Sequence, residues 1–446
     1  MTRRAAGKAP SPSDMTRISH ARTTGRRRAT AGPLPVALVC TGTELTAGRT
    51  VDTNAARLAQ ALAPLGARIV FHVTVGDDRA AIADAVRLAC ARARVVIVSG
   101  GLGPTRDDLT RDVLAAVSGR PLVLHRPSLE RIAARLAARL GPGVPVPENN
   151  RLQALVPRGS EVLPNPAGTA AGFALRLRGA WIVALPGVPR ELDAMVEQDV
   201  LPWLRRKGLA RRATRARALT LFGIPESVAD DAIGRLGVPL DGLEIALTVD
   251  EGAVKIVLSS AAGDRGAARR ADALHRALRR RFGDAVASPE GLPLAEAVAR
   301  TLIRRRRTVA LAESCTGGLV ARKLAAVPGI SASLLEAVVA YANRSKIRRL
   351  GVPPALIRRH GAVSAEVATA MARGIARTAG ADIGVAVTGI AGPGGGTAEK
   401  PVGLVWFGVC ARGRAWAESR RFRGDRREVQ ERAAMTALDL LRRAIF

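Results

Sequence analysis

Ser314, Tyr341 and Lys346 are the side chains whose types and scarcity point most directly to covalent chemistry. Tyr341 is the only tyrosine in 446 residues, and Lys346 is one of six lysines against 63 arginines. Arginine stays protonated, whereas burial or neighbouring cations can tune a lysine to give up its proton. A serine hydroxyl beside such a lysine makes a nucleophile of the Ser-Lys kind, with Tyr341 relaying or stabilising the proton. Ser314 lies in Glu313-Ser314-Cys315-Thr316-Gly317-Gly318, directly after the apolar stretch 308–312. That is how a strand hands polar groups to its carboxyl end. The same residues admit a plainer use: Ser314 and Thr316 as hydroxyl caps of a helix over 319–326, and Lys346 as a surface charge beside Arg344, Arg348 and Arg349. Residue types alone leave both open.

Two glycine-rich stretches add candidate anion sites. The segment from Thr388 to Pro401 follows an apolar strand and is punctuated by Thr388, Thr397 and Lys400. It reads as a phosphate and oxyanion cradle, with a mobile surface loop as the alternative. Nearer the amino terminus, Thr41-Gly42-Thr43-Glu44 leaves one strand, and Gly100-Gly101-Leu102-Gly103-Pro104-Thr105 leaves another just before a helix. Glycine lets backbone N–H groups approach a phosphate, and the helix N-terminus adds a positive dipole. Asp107 and Asp108 then either cap that helix or hold a divalent metal ion against a diphosphate. Gly263-Asp264-Arg265-Gly266 matches the Gly-x-x-Gly loop of KH nucleic-acid modules, but it joins a strand to a helix, so a plain turn is expected.

These sites must be carried by alternating strands and helices. Val36 to Cys40, Ala67 to Val75, Val95 to Ser99 and Trp181 to Leu185 read as strands, with helices over 54–65 and 79–93 and a third that follows Pro186 to Arg190 and runs to about 206. Asp77 and Asp78 are placed to cap the second of these. A smaller unit over 209–286 shows strands at 218–222 and 253–259 and helices at 226–236 and 267–282. From 290 onward the alternation resumes, with helices over 294–306, 319–326 and 365–378 and strands over 309–312, 383–387 and 403–409. The expected fold is α/β: two mostly parallel-sheet domains, 34–206 and 290–446, joined by a small KH-like α/β unit at 209–286. Ligands are expected at the carboxyl ends of the parallel strands.

Composition narrows the class. No apolar run approaches the roughly 20 residues that cross a bilayer, so no membrane association is expected. The four cysteines, Cys40, Cys90, Cys315 and Cys410, are far apart and form no C-x-x-C or Cys/His motif, which suits a reduced cytoplasm and suggests no zinc. The net charge of +31 comes from arginines spread along the whole chain, so a specific nucleic-acid partner is not expected. Residues 1–33 carry eight Lys/Arg and one acidic residue among Ser, Thr, Pro and Gly. They read as a disordered basic tail without function, with Met15 as an alternative start to Met1.

The motifs together resemble the CinA family of competence/damage-inducible proteins over nearly everything after residue 34. Thr41 to Leu45 with Val51-Asp52-Thr53-Asn54, Val75 to Asp78, Gly100 to Thr110, and Leu185 to Glu191 look like its amino-terminal domain. That domain is similar to the molybdopterin-binding domain of molybdenum-cofactor biosynthesis proteins. In some members it is associated with metal-dependent ADP-ribose pyrophosphatase activity. Phe222 to Ser227 looks like the start of the family's KH-like middle unit. Glu313 to Gly318, Val339 to Asn343 with Lys346, Gly361 to Ser364, the Gly389 to Gly403 loop and Phe422 to Arg426 resemble a nicotinamide-nucleotide amidase domain. The resemblance implies hydrolysis of nicotinamide mononucleotide to nicotinic acid mononucleotide and ammonia.

By position, the resemblance makes Ser314 the nucleophile, with Tyr341 and Lys346 as its helpers. Thr316, Gly317, Asn343, Thr388, Gly392, Gly394, Gly395, Thr397 and Arg426 become substrate contacts. From residue types rather than the resemblance, Gly100, Gly101, Gly103 and Thr105 make the first domain's phosphate loop, with Asp107 and Asp108 as metal ligands or helix caps. No cofactor is expected for the amidase and a divalent metal ion is expected for the first domain. The partners are a small nucleotide substrate and a second copy of the chain in a homodimer. A non-enzymatic protein binding a molybdopterin-like ligand or nucleic acid is the alternative.

Overall fold

Strands covered by helices on both faces have no solvent side, so they read as unbroken apolar runs. Val95–Ser99 shows this, with five consecutive buried residues. The computed structural model describes residues 32–210, 215–260 and 263–445. All but the last two positions of the tail expected over 1–33 lie outside the described residues.

The first sheet is built from β1 (Leu34–Thr41), β2 (Ala67–Val75) and β3 (Val95–Ser99). β4 (Leu122–Leu124) and β5 (Leu155–Pro157) form a separate two-stranded ribbon. β6 (Glu161–Leu163), β7 (Gly172–Leu177) and β8 (Ala180–Leu185) then complete the first sheet in the order β2-β1-β3-β8-β7-β6. β2, β1, β3 and β8 are parallel, β7 is antiparallel to β8, and β6 is antiparallel to β7. Alternation along β1 and β3 serves two cores. Ala37, Val39, Val96 and Val98 pack towards Ile82 and Val86 of the helix Arg79–Arg92. Val36, Leu38, Val95 and Ile97 pack towards Leu58, Leu62 and the helical stretch from Pro189 to Arg206 on the other side. Of the two aspartates placed to cap Arg79–Arg92, only Asp78 does so, accepting from Ala81 N at 2.8 Å. Asp77 instead accepts from Thr43 N at 2.7 Å and ties down the loop after β1.

The middle sheet is antiparallel throughout. It comprises β9 (Arg215–Phe222), β10 (Leu243–Asp250), β11 (Ala253–Ser260) and β12 (Val286–Ser288), in the order β10-β11-β9-β12. Glu251 (φ 49°) and Gly252 (φ 79°) close the β10–β11 hairpin with two left-handed residues, as a two-residue turn between twisted strands requires. Asp264, in the Gly-x-x-Gly segment, caps the helix Arg265–Phe282 by accepting from Ala267 N at 2.8 Å.

The last sheet holds β13 (Val309–Glu313), β14 (Leu334–Val339), β15 (Ile383–Gly389), β16 (Leu404–Ala411) and β17 (Arg414–Arg421), in the order β14-β13-β15-β16-β17. β14, β13 and β15 are parallel; β16 and β17 are antiparallel. Helices Leu294–Arg305 and Arg426–Ala444 cover one face. Ala365–Ala379 covers the other, where Gly384 and Gly408 let it approach closely. A Cβ on either glycine would run into the carbonyls of Ala372 and Ala368. Glu313 pairs with both Val339 and Val387, so the carboxyl ends of β13, β14 and β15 lie level. Among the described residues no helix is long and apolar enough to cross a membrane.

Candidate active site

The level strand ends bring three loops together. Past the ladder, Ser314 N donates to Val387 O at 2.9 Å, and Ala340 N donates to Glu313 O at 2.8 Å. Ser314 therefore begins a turn fixed on both sides by the sheet. The turn is held from within by Glu313, which is 1% exposed. Its carboxylate accepts from Gly318 N (2.9 Å), Val320 N (3.2 Å) and Ala321 N (2.8 Å). These are orphan donors at the start of the helix Leu319–Ala325. Capping by Ser314 and Thr316 is thereby corrected: the N-cap is Gly318, and the carboxylate from the preceding strand supplies the acceptors. Both hydroxyls are left for other uses, and Thr316 Oγ1 is buried without a partner.

Lys346 is no surface charge either, being 2% exposed. It lies on the inner face of the helix Asn343–Leu350 with Leu350, one turn on. Its side chain leans back towards the helix N-terminus. There Nζ contacts Ser314 Oγ at 3.0 Å, Ala340 O at 2.9 Å and Tyr341 O at 3.0 Å. Burial holds the Lys346 amine below the ordinary lysine range. A neutral amine has two N–H groups and one lone pair. The two carbonyls can only accept, so they take both N–H groups and leave the lone pair for the Ser314 hydroxyl proton. The neighbouring thiol is unsuited to the same work, because burial pushes Cys315 up to about 12.

Tyr341 takes a different place from the one its type suggests. Its side chain is 57% exposed, and its hydroxyl is held by Arg426 Nη2 at 2.7 Å. Arg426 Nη1 donates to Gly392 O at 2.7 Å, so one guanidinium joins the Tyr341 ring to the glycine loop. The contact with Ser314 Oγ belongs to Lys346, while Tyr341 contributes its backbone carbonyl. Asn343 is exposed at the start of the same helix.

The glycine loop is exposed from Pro393 to Glu399, including Gly394, Gly395 and Thr397. Its three polar punctuators face protein atoms. Thr388 Oγ1 donates to Ala362 O at 2.9 Å, Thr397 Oγ1 accepts from Lys400 N at 3.0 Å, and Lys400 Nζ donates to His360 O. Thr388 and Lys400 fasten the loop to the 360–362 turn, while Thr397 closes a turn within the loop. Two contributors escaped the residue-type reading. Glu313, within Glu313 to Gly318, carries no role by residue type, and Gln430, whose Nε2 donates to Cys315 O at 2.7 Å, ties the last helix to the turn with no sequence signal at all.

In the first domain the loops after β1, β3 and β8 enclose a cavity of about 540 Å³. Gly100 and Gly101 are left-handed (φ 111° and 66°), and a Cβ on them would press on Thr41 and Thr110. The glycines are thus needed first for close packing, Gly100 against the end of β1 and Gly101 against the start of the helix Thr110–Ser118. Asp108 accepts from both the amide and the hydroxyl of Thr105 (2.8 and 2.5 Å), and the helix Thr110–Ser118 has no side-chain cap. Neither Asp107 nor Asp108 belongs to a three-donor group. Among the described residues the one such group is Cys40, Asp52 and His72, although the cysteine spacing suggested none.

Residues 37–206 match the model of a probable molybdopterin binding domain, and 292–445 match the CinA C-terminal domain. A CinA-like protein of Gemmatimonas aurantiaca is 43% identical over 419 residues, covering 92% of this chain and 96% of its own. A putative competence-damage inducible protein of Moorella thermoacetica is 41% identical over 408 residues, covering 91% and 98% respectively. The crystal structure of a competence/damage inducible protein from Agrobacterium tumefaciens is 42% identical with a TM-score of 0.32, covering 33% of this chain and 93% of that one. With such identity sustained over nine-tenths of its length, the chain belongs to the CinA family.

Proposed function

We propose that the last domain hydrolyses the carboxamide of nicotinamide mononucleotide, with Ser314 as nucleophile and Lys346 as general base. The observation that carries this reading is the 3.0 Å contact between Lys346 Nζ and Ser314 Oγ, made by a buried lysine whose other partners are two carbonyls. Ser314 Oγ attacks the amide carbon as its proton passes to Lys346. The resulting ammonium returns the proton to the leaving nitrogen, which departs as ammonia and leaves an ester on Ser314. Water, deprotonated by the same amine, then cleaves the ester to the carboxylate. One water is consumed and one ammonia released. Arg426, the Gly392 to Gly395 loop, Thr316, Gly317, Asn343 and Thr397 are proposed to position the nucleotide, with Thr388 holding the loop to its neighbour.

The test is incubation of the full chain with nicotinamide mononucleotide. Ammonia and nicotinic acid mononucleotide should appear in equal amounts. Release of free nicotinamide, or no reaction, would remove this reading.

A second reading concerns the first domain, favoured by its cavity at the ends of parallel strands. It binds a phosphate-bearing ligand there, either a pterin or a dinucleotide whose diphosphate it cleaves. Release of AMP from ADP-ribose in the presence of a divalent ion would support the hydrolytic form; binding without turnover would support the other.

A further inference from the structure

Cys40, Asp52 and His72 come from three segments of the first domain and meet at the edge of its cavity. Cys40, 1% exposed, is the penultimate residue of β1. His72 stands on the edge strand β2, opposite Leu38, with Thr74 opposite Cys40. Asp52 precedes the helix Asn54–Leu62, and its Oδ1 accepts from Asn54 N (3.0 Å) and Ala55 N (3.2 Å). That leaves Oδ2 facing Thr74 Oγ1 and His72 Nε2, each at 3.3 Å. The thiol sulfur, the imidazole nitrogen and a carboxylate oxygen all lie within 4.8 Å of one another. Cys40 and Asp52 also line the cavity beside the Gly100 loop.

We propose that these three side chains bind one divalent cation of the zinc or cobalt class at the cavity wall, and that Asp107 and Asp108 are not its ligands. Thiolate, imidazole and carboxylate are the donor types that select such borderline ions over magnesium or calcium, which want oxygen alone. Bond lengths of about 2.0 to 2.3 Å put the ligands of a tetrahedral ion roughly 3.3 to 3.6 Å apart. The His72 to Asp52 separation of 3.3 Å already meets that spacing, and the Cys40 sulfur lies within 4.8 Å of both. Asp52 is oriented by the two backbone N–H groups on its other oxygen, an arrangement that fixes a ligand before the ion arrives. Cys40 loses its proton to solvent as the metal–sulfur bond forms, while the Asp52 carboxylate and a ring nitrogen of His72 donate lone pairs. The loops of Asp107 and Asp108 offer only oxygen, with Asp108 already engaged by Thr105.

The experiment is a cobalt(II) titration of the full chain after chelator treatment, followed by near-ultraviolet absorption. One equivalent should bind with a sulfur-to-cobalt charge-transfer band, and zinc should displace it. Cys40→Ser should abolish the band. Because Cys40 is buried and its variant could fold poorly, His72→Ala at a side chain 41% exposed provides an independent arm. There cobalt affinity should fall about tenfold or more. No charge-transfer band, a band that survives in Cys40→Ser, unchanged affinity in His72→Ala, or a band-free cobalt site lost in Asp107→Ala would each overturn the proposal. None of these outcomes bears on the amidase reading.

Discussion

Lys346 Nζ lies 3.0 Å from Ser314 Oγ across 32 positions of sequence. The two residues arrive by separate routes, Ser314 from the end of a central strand and Lys346 from a helix that follows the edge strand. What joins them is the shared level of β13 and β14. A small change at either residue should therefore alter chemistry without dismantling the sheet.

Lys346→Met removes the amine while keeping the buried stem. It should lower kcat for ammonia release by about 10² to 10⁴-fold, the usual worth of a positioned general base, with little change in KM. Lys346→Arg should be no better, since a guanidinium cannot take the proton. Steady-state kinetics with circular dichroism as a folding control decides it, and near-normal turnover in either variant would remove Lys346 from the base role.

The depressed lysine has a pH signature of a definite sign. Activity should rise with pH as the amine deprotonates, with its midpoint below the ordinary lysine value of roughly 10.4. Between the lowered native pKa and the ordinary unfolded one, the unfolded chain binds more protons, so stability rises with pH through that window. Below the window the buried ammonium is a cost. Denaturant midpoints of wild type and Lys346→Met, compared across alkaline pH, should show wild type gaining on the variant as pH climbs.

Tyr341→Phe separates relay from clamp. It removes the hydroxyl that Arg426 holds but keeps the carbonyl that holds Lys346. The geometry predicts a kcat within about tenfold of wild type and a larger effect on KM, since one lost hydrogen bond to a charged group is worth roughly 1.5 to 3 kcal/mol. Arg426→Ala should raise KM further, as the Gly392 tie is lost too. A loss in Tyr341→Phe confined to kcat and matching that of Lys346→Met would restore Tyr341 as the proton relay.

How much of this was legible before the fold is best seen in particular residues. The buried runs Val95–Ser99 and Val309–Glu313 were readable because interior parallel strands carry no polar alternation. β10 was not. It is an edge strand in which Leu243, Ile245, Leu247 and Val249 alternate with Glu244, Ala246, Thr248 and Asp250, so the signal was a period of two rather than an unbroken apolar run. Ser314 and Lys346 stood out through residue type, yet their plain readings as cap and surface charge could be dismissed only by the capping carboxylate of Glu313 and the burial of Lys346. Tyr341 was conspicuous for the right loop and the wrong atom: its carbonyl, which every residue has, touches the lysine. Cys40, Asp52 and His72 come together through strand register and a loop, which linear spacing cannot reveal.

Glu313→Gln should destabilise the chain rather than retune it. An amide can accept through only one oxygen, so at least one of the three N–H groups at Gly318, Val320 and Ala321 loses its acceptor, and the charge at the helix N-terminus disappears. A cost of about 2 to 4 kcal/mol is expected from the unsatisfied donor and the lost helix-end charge. Urea unfolding measures it, and a change under about 0.5 kcal/mol would show that the turn holds itself.

The central claim is that Ser314 attacks the amide with Lys346 as its base. Its most direct test is the rate of ammonia release from nicotinamide mononucleotide by the full chain and by Ser314→Ala at equal folded concentration. A fall of about 10³-fold or more in Ser314→Ala is predicted, as for other removed nucleophiles. Ammonia release undiminished in that variant would contradict the account.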